Sequence, residues 1–148
     1  MIQSLASVRT FPNVLYHPDL HLLTWHVEGV LDDATADRIV EVAECQERES
    51  PVPFDRYIDF GGLLEIRLSL AHTFHIAQRR RLRYSGPPTK TAYYVSWIMA
   101  RGLVRVYADF MRDSPIDVQV FERREDAAEW LEVPLSVLLP KGEKGSRR

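Results

Sequence analysis

The chain of 148 residues is predicted to be a single α/β domain, a mixed sheet of about five strands covered by helices, on three observations. Short apolar runs alternate with stretches of helical periodicity in the order β-β-α-β-α-β-α-β-α, a pattern that favours strands joined by helical crossovers. Residues 117–121, apolar at alternate positions, run straight into residues 122–131, where Ala127, Ala128, Trp130 and Leu131 recur at helical spacing. The chain also opens on two short strands separated by the turn sequence His17-Pro18-Asp19, too brief a connection for a crossover and therefore an antiparallel hairpin.

Taken in order, residues 1–12 read as a lead-in ending at Phe11-Pro12, and residues 13–139 as the domain. Residues 14–16 and 22–27 form the hairpin, with Gly29 expected to break the second strand. Asp32 or Asp33 then caps a helix in which Ala36, Ile39, Val40 and Ala43 face inward and the acids face water, and Ser50-Pro51-Val52-Pro53 ends it. Residues 56–60 are a third, core-seeking strand closed by Gly61-Gly62. A long helix is expected over 66–82 with Leu70, Phe74, Ala77 and the stem of Arg81 on one side. After the break at Ser85-Gly86-Pro87-Pro88 come a fourth strand over 91–95 and a helix over 100–111. Residues 134–139 supply one apolar turn, and 140–148 a basic tail. Because strands three, four and five alternate with helices, they are expected to be parallel, joined by right-handed crossovers.

Composition narrows the function classes. At 17.1 kDa the chain needs no metal or disulfide staple, since a domain of this size buries roughly 68–70% of its unfolded surface. A net charge of −2 gives no pull toward nucleic acid or anionic membrane. One cysteine, Cys45, suits a reducing compartment. No signal-peptide pattern and no membrane-spanning run is read in the sequence, so a cytoplasmic protein is expected. Charge is uneven: acids dominate residues 28–59 and arginines residues 67–112.

With the hairpin, Val27-Glu28-Gly29 before an Asp-capped helix, Tyr57-Ile58-Asp59 before a long helix, and Val120-Phe121 before Ala127-Ala128-Glu129-Trp130-Leu131, the chain resembles the STAS superfamily over residues 14–131. It is most similar there to the SpoIIAA-like group, whose fold is shared with CRAL-TRIO lipid carriers. The resemblance implies a bacterial, non-enzymatic regulatory or protein-interaction module, acting as a homodimer, with a carrier or sensor of a small apolar, lipid-like ligand as the alternative. One element departs from the pattern. Phospho-switched STAS regulators carry an Asp-Ser-Ser-Gly-like start to a helix, whereas this chain reads Asp59-Phe60-Gly61-Gly62-Leu63, with no hydroxyl before Ser69.

Candidate site residues follow from position. Ligands of open α/β sheets favour the crevice outside the carboxyl ends of the strands, an edge that gathers Asp59, Gly61, Gly62, Ser96, Trp97, Phe121 and Arg123. Its aromatic lining with a few polar groups suits a small apolar ligand. The run Arg79-Arg80-Arg81-Leu82-Arg83 either complements a helix carboxyl terminus or docks an acidic partner, such as the acidic first helix of another copy. Gly61-Gly62 lacks the wider motif of a phosphate loop and is expected to be a turn. Ser96, His75 and Asp59 form a conceivable nucleophilic set, but no nucleophile elbow surrounds Ser96. His72 and His75, with His17, His21 and His26, supply no third converging metal ligand. No cofactor, metal or nucleic acid is expected.

Overall fold

A computed structural model describes residues 13–140 and Gly142; the expected lead-in and nearly all of the expected tail lie outside these. Five strands form one mixed sheet in the sequential order β1-β2-β3-β4-β5. β1 (Val14–His17) and β2 (Leu22–Asp32) are the antiparallel hairpin; β3 (Asp55–Arg67), β4 (Thr89–Tyr94) and β5 (Ile116–Phe121) continue parallel to β2. The helices are α1 (Asp33–Glu49), α2 (Leu70–Arg83), α3 (Ile98–Phe110), α4 (Arg124–Leu131) and the single turn α5 (Leu135–Leu138).

Sequential strand order decides the layering. Each parallel connection steps one strand in the same direction, so crossovers of one hand place α1, α2 and α3 on the same face. The core records this: Leu23, Trp25, Val27, Ile58, Phe60 and Val95 pack against Ile39, Ile76 and Val104 of those helices. The alternate residues of the same strands, Leu22, Tyr57 and Ala92, face the other way and pack against Ala127, Ala128 and Leu131 of α4 and Leu138 of α5. Among the described residues no helix is long and apolar enough to cross a membrane.

Four expectations need correction. Neither Gly29 nor Gly61-Gly62 ends a strand. β2 and β3 run on together, through register irregularities near Glu28 and Gly29, to the pair Asp32↔Arg67. β1 accompanies β2 only to Trp25, and β4 accompanies β3 only from Arg56 to Asp59. The remainder projects past the sheet as a two-stranded parallel ribbon. Consequently α2 starts at Leu70, where the Ser69 hydroxyl accepts from the His72 N–H at 3.0 Å, and not at residue 66. Its inward face is Thr73, Ile76, Ala77 and Arg80, while Leu70 and Phe74 are exposed. The choice follows from Arg80, which reaches a carboxylate of α1. The acids of α1 do not all face water: Glu44 is buried.

Candidate functional site

The sheet register brings Asp59, Tyr94 and Phe121 abreast at the carboxyl ends of β3, β4 and β5. From there the seven predicted residues divide. Asp59 and Phe121 point toward α4, Phe121 meeting Trp130 with ring centroids 5.5 Å apart. Ser96 and Trp97 lie exposed beyond the end of β4, and the Ser96 carbonyl accepts from Arg101 at 3.0 Å. Arg123 is exposed beside Glu125. Gly61 and Gly62 lie in the projecting part of β3.

Asp59 is 2% exposed and its carboxylate is fully occupied. Oδ2 accepts from Tyr57 Oη at 2.6 Å and from Arg124 Nε at 2.7 Å; Oδ1 accepts from the Gly61 N–H at 2.8 Å and from Arg124 Nη2 at 3.3 Å. A carboxylate offers about four lone-pair directions, so no acceptor capacity is left to take a proton from a substrate. Burial, and then the charge of Asp59, push the Tyr57 hydroxyl above its ordinary range. Burial pulls the Arg124 guanidinium down, but the hydrogen bonds and charge of Asp59 outweigh this and hold it above its usual value. Arg124 also stacks over Tyr94, 4.3 Å from the ring centroid. Beside this cluster His26 Nε2 donates to the Leu138 carbonyl at 2.8 Å, so that nitrogen carries the proton, and lies 3.6 Å from Asp59 Oδ2. The cluster fastens α4 and α5 to the sheet.

Arg124 is the residue that reading the sequence missed, by one position. A signal for it exists: Arg124 stands three and four residues before Ala127 and Ala128, hence on the face that α4 turns to the sheet. Gly61 has a contact role. A Cβ there would lie 2.6 Å from Arg124 Nη2, 2.9 Å from Asp59 Oδ1 and 3.1 Å from Tyr94 Cε2. The conceivable nucleophilic set is not assembled, since His75 belongs to α2 on the opposite side of the sheet from the Asp59 carboxylate. His72 Nε2 instead contacts Asp37 Oδ1 at 2.7 Å. Among the described residues no group of three or more His, Cys, Asp or Glu is placed to hold a metal ion.

The arginine run meets acids of its own chain. Arg79 donates to Glu44 Oε1 at 2.8 Å, Arg80 to Glu47 at 2.6 and 2.9 Å, Arg83 approaches Glu44 at 3.4 Å, and Arg81 caps the Phe110 carbonyl at 3.0 Å. Beneath them Arg56, 3% exposed, binds Glu47, the Thr89 and Thr91 hydroxyls and the Phe54 carbonyl. It lies between the rings of Phe54 and Tyr84.

Two apolar features stand at or near the carboxyl edge. The first is a cavity of about 60 Å³ under α1, α2 and α3, lined among others by Leu31, Ile39, Phe60, Ile76, Val104 and Tyr107. The second is exposed: Leu64 at 79%, Ile98 at 74% and Met99 at 83%, with Leu70 and the half-exposed Trp97. Compared with protein-family models, with curated proteins and with solved structures, the chain finds no match.

Proposed function

We propose that this chain is a non-enzymatic protein-interaction module that recruits an extended segment of a partner protein onto the projecting part of β3. The observation that carries the reading is an edge of that strand that no other strand accompanies among the described residues. β4 leaves β3 after Asp59, while β3 continues paired with β2 on its other side as far as Arg67. A strand edge of this kind offers main-chain donors and acceptors to an incoming strand. The exposed Leu64 beside it, and Trp97, Ile98 and Met99 where the chain leaves β4, supply apolar area for alternate side chains of the guest. Burying side chains of this size contributes roughly 1.5–3 kcal/mol each. The occupied Asp59 carboxylate supports a binding role over a catalytic one. This reading keeps the STAS-like expectation of a regulatory module, without a phosphoacceptor at the expected position. Pairing of two β3 edges would make the homodimer that the resemblance implies.

The test is selection of displayed extended peptides against the purified protein, followed by hydrogen exchange on the complexes. Binders that slow exchange over residues 61–67, and that Leu64→Lys weakens at least tenfold, support the reading. Binders that protect other segments, or are indifferent to Leu64→Lys, overturn it. Dimers that dissociate in Leu64→Lys, seen by sedimentation of the protein alone, would identify a second copy as the occupant.

A second reading, carriage of a small apolar ligand, is favoured by the cavity under α1 to α3. Its volume of about 60 Å³ is below that of the roughly 150 Å³ cavity known to take benzene, so a lipid would require α2 and α3 to separate. Native mass spectrometry of the freshly purified protein tests this: mass lost on denaturation supports a carrier, and the bare sequence mass argues against one.

A further inference from the structure

At the opposite end of the sheet, where β3 and β4 begin, lies a cleft of about 640 Å³ between the end of α1, the turn after it and the loop that follows α2. Its size is that of a small-molecule pocket. A second hollow of about 370 Å³ runs along α1 and shares Glu44, Arg48 and Arg83 with it. One wall is apolar, made by Val52, Pro53, Phe54 and Tyr84. The other is charged, and its balance is uneven.

Five guanidiniums, those of Arg48, Arg56, Arg79, Arg80 and Arg83, line the two hollows or pair with their linings, against three carboxylates, Glu41, Glu44 and Glu47. Two positive charges are in excess. The ends of α1 and α2 each bring about half a negative charge, which leaves about one positive charge over. Two of the three carboxylates are engaged by the inner arginines, Glu47 by Arg56 and Arg80 and Glu44 by Arg79. The outer pair is held less closely: Arg48 lies on the Cys45 sulfur at 3.1 Å, and Arg83, with 62% of its side chain exposed, is 3.4 Å from Glu44. These two come from different helices and converge on both hollows. Glu44 Oε2 is enclosed beneath them, with Arg80 Nη1 at 3.8 Å and no hydrogen bond from the described residues.

We propose that this cleft binds an organic acid with an apolar body. The acid group lies between Arg48 and Arg83, in the geometry that guanidinium forks favour. The apolar body covers Val52, Phe54 and Tyr84. The site is at the other end of the strands from the edge of β3 and does not depend on the partner-binding reading.

The experiment titrates isotope-labelled full-length protein with 3-phenyllactate, hydrocinnamate, phenyl phosphate and benzyl alcohol at constant ionic strength, following amide shifts. Phenyllactate and hydrocinnamate are expected to shift residues 50–54 and 83–86 saturably, and benzyl alcohol to bind at least tenfold more weakly. Phenyl phosphate separates the head groups: tighter binding than hydrocinnamate assigns a phosphate ester, weaker binding a carboxylic acid. The double variant Arg48→Gln, Arg83→Gln should weaken phenyllactate at least tenfold while leaving the melting temperature unchanged, because both side chains are largely in solvent. The proposal is overturned if benzyl alcohol binds as well as phenyllactate, if the double variant binds like the parent, or if no probe gives saturable shifts at these residues.

Discussion

Two glycines show how one residue type answers different physical demands. Gly29 has φ +83° and nothing within 4 Å of the position a Cβ would take, whereas Gly61 has ordinary strand geometry and a crowded one. Gly29→Ala should therefore cost only backbone strain, about 1–2 kcal/mol. Gly61→Ala must displace the Arg124 guanidinium or the Asp59 carboxylate, which are bonded to each other, and should cost about 1–3 kcal/mol. Urea denaturation of both variants, alone and combined with Arg124→Met, separates the two causes. Removing the Arg124 head should relieve much of the Gly61→Ala penalty and none of the Gly29→Ala penalty. Asp59→Asn leaves the guanidinium without its anion. Breaking a fully buried pair costs about 3–5 kcal/mol, and the lower end is expected here because Arg124 reaches solvent.

At the scale of the element, α1 depends on a cap that is also a pH sensor. The Asp32 carboxylate accepts from the Thr35 N–H at 2.8 Å, and this hydrogen bond holds its pKa below the ordinary 3.8. A depressed folded pKa means that the unfolded chain binds the proton more readily. The stabilisation is thus complete above 3.8 and is lost as pH falls through the lower, folded value. Asparagine caps as well as aspartate but does not titrate. The parent and Asp32→Asn should therefore be equally stable near neutrality and part below about pH 4, where only the parent loses stability, while Asp32→Ala should be weaker than Asp32→Asn at every pH. Denaturation midpoints at pH 7 and pH 3 check this. The cap, the hairpin, the core faces of α1 and α4 and the parallel sense of the last three strands were legible, because they follow from periodicity, turn chemistry and the alternation of strands with helices. The ribbon was not: Gly61-Gly62 carries the composition of a turn, yet its glycines serve the Asp59–Arg124 contact and the close approach to Glu28. Nor was the inward face of α2, since Leu70 and Phe74 look more apolar than Thr73 and Arg80. That face is chosen by Glu47 on another helix, which no local pattern contains.

Across the whole molecule the two faces of the sheet are held by different means. α1, α2 and α3 share an extended apolar core with the sheet, and the ion pairs of Glu44 and Glu47 lace α1 to α2. The opposite layer is only α4 and α5. It rests on small side chains, Ala127 and Ala128, and on polar pins: Arg124 to Asp59, His26 to the Leu138 carbonyl, and Lys90 to the Trp130 carbonyl at 2.8 Å. A layer with few apolar contacts opens at lower free energy than the rest. Native-state hydrogen exchange should find residues 124–138 exchanging through a local opening, while Ile58 and Val40 exchange only on global unfolding. Arg124→Met should leave the protection of α1 and α2 unchanged and raise exchange in α4 and α5 by about tenfold or more, because one pin of 1.5 kcal/mol or more is lost. Uniform acceleration across the chain would instead mean that both layers open as one unit. The Asp59 cluster would then be part of the global fold and not a latch on one face.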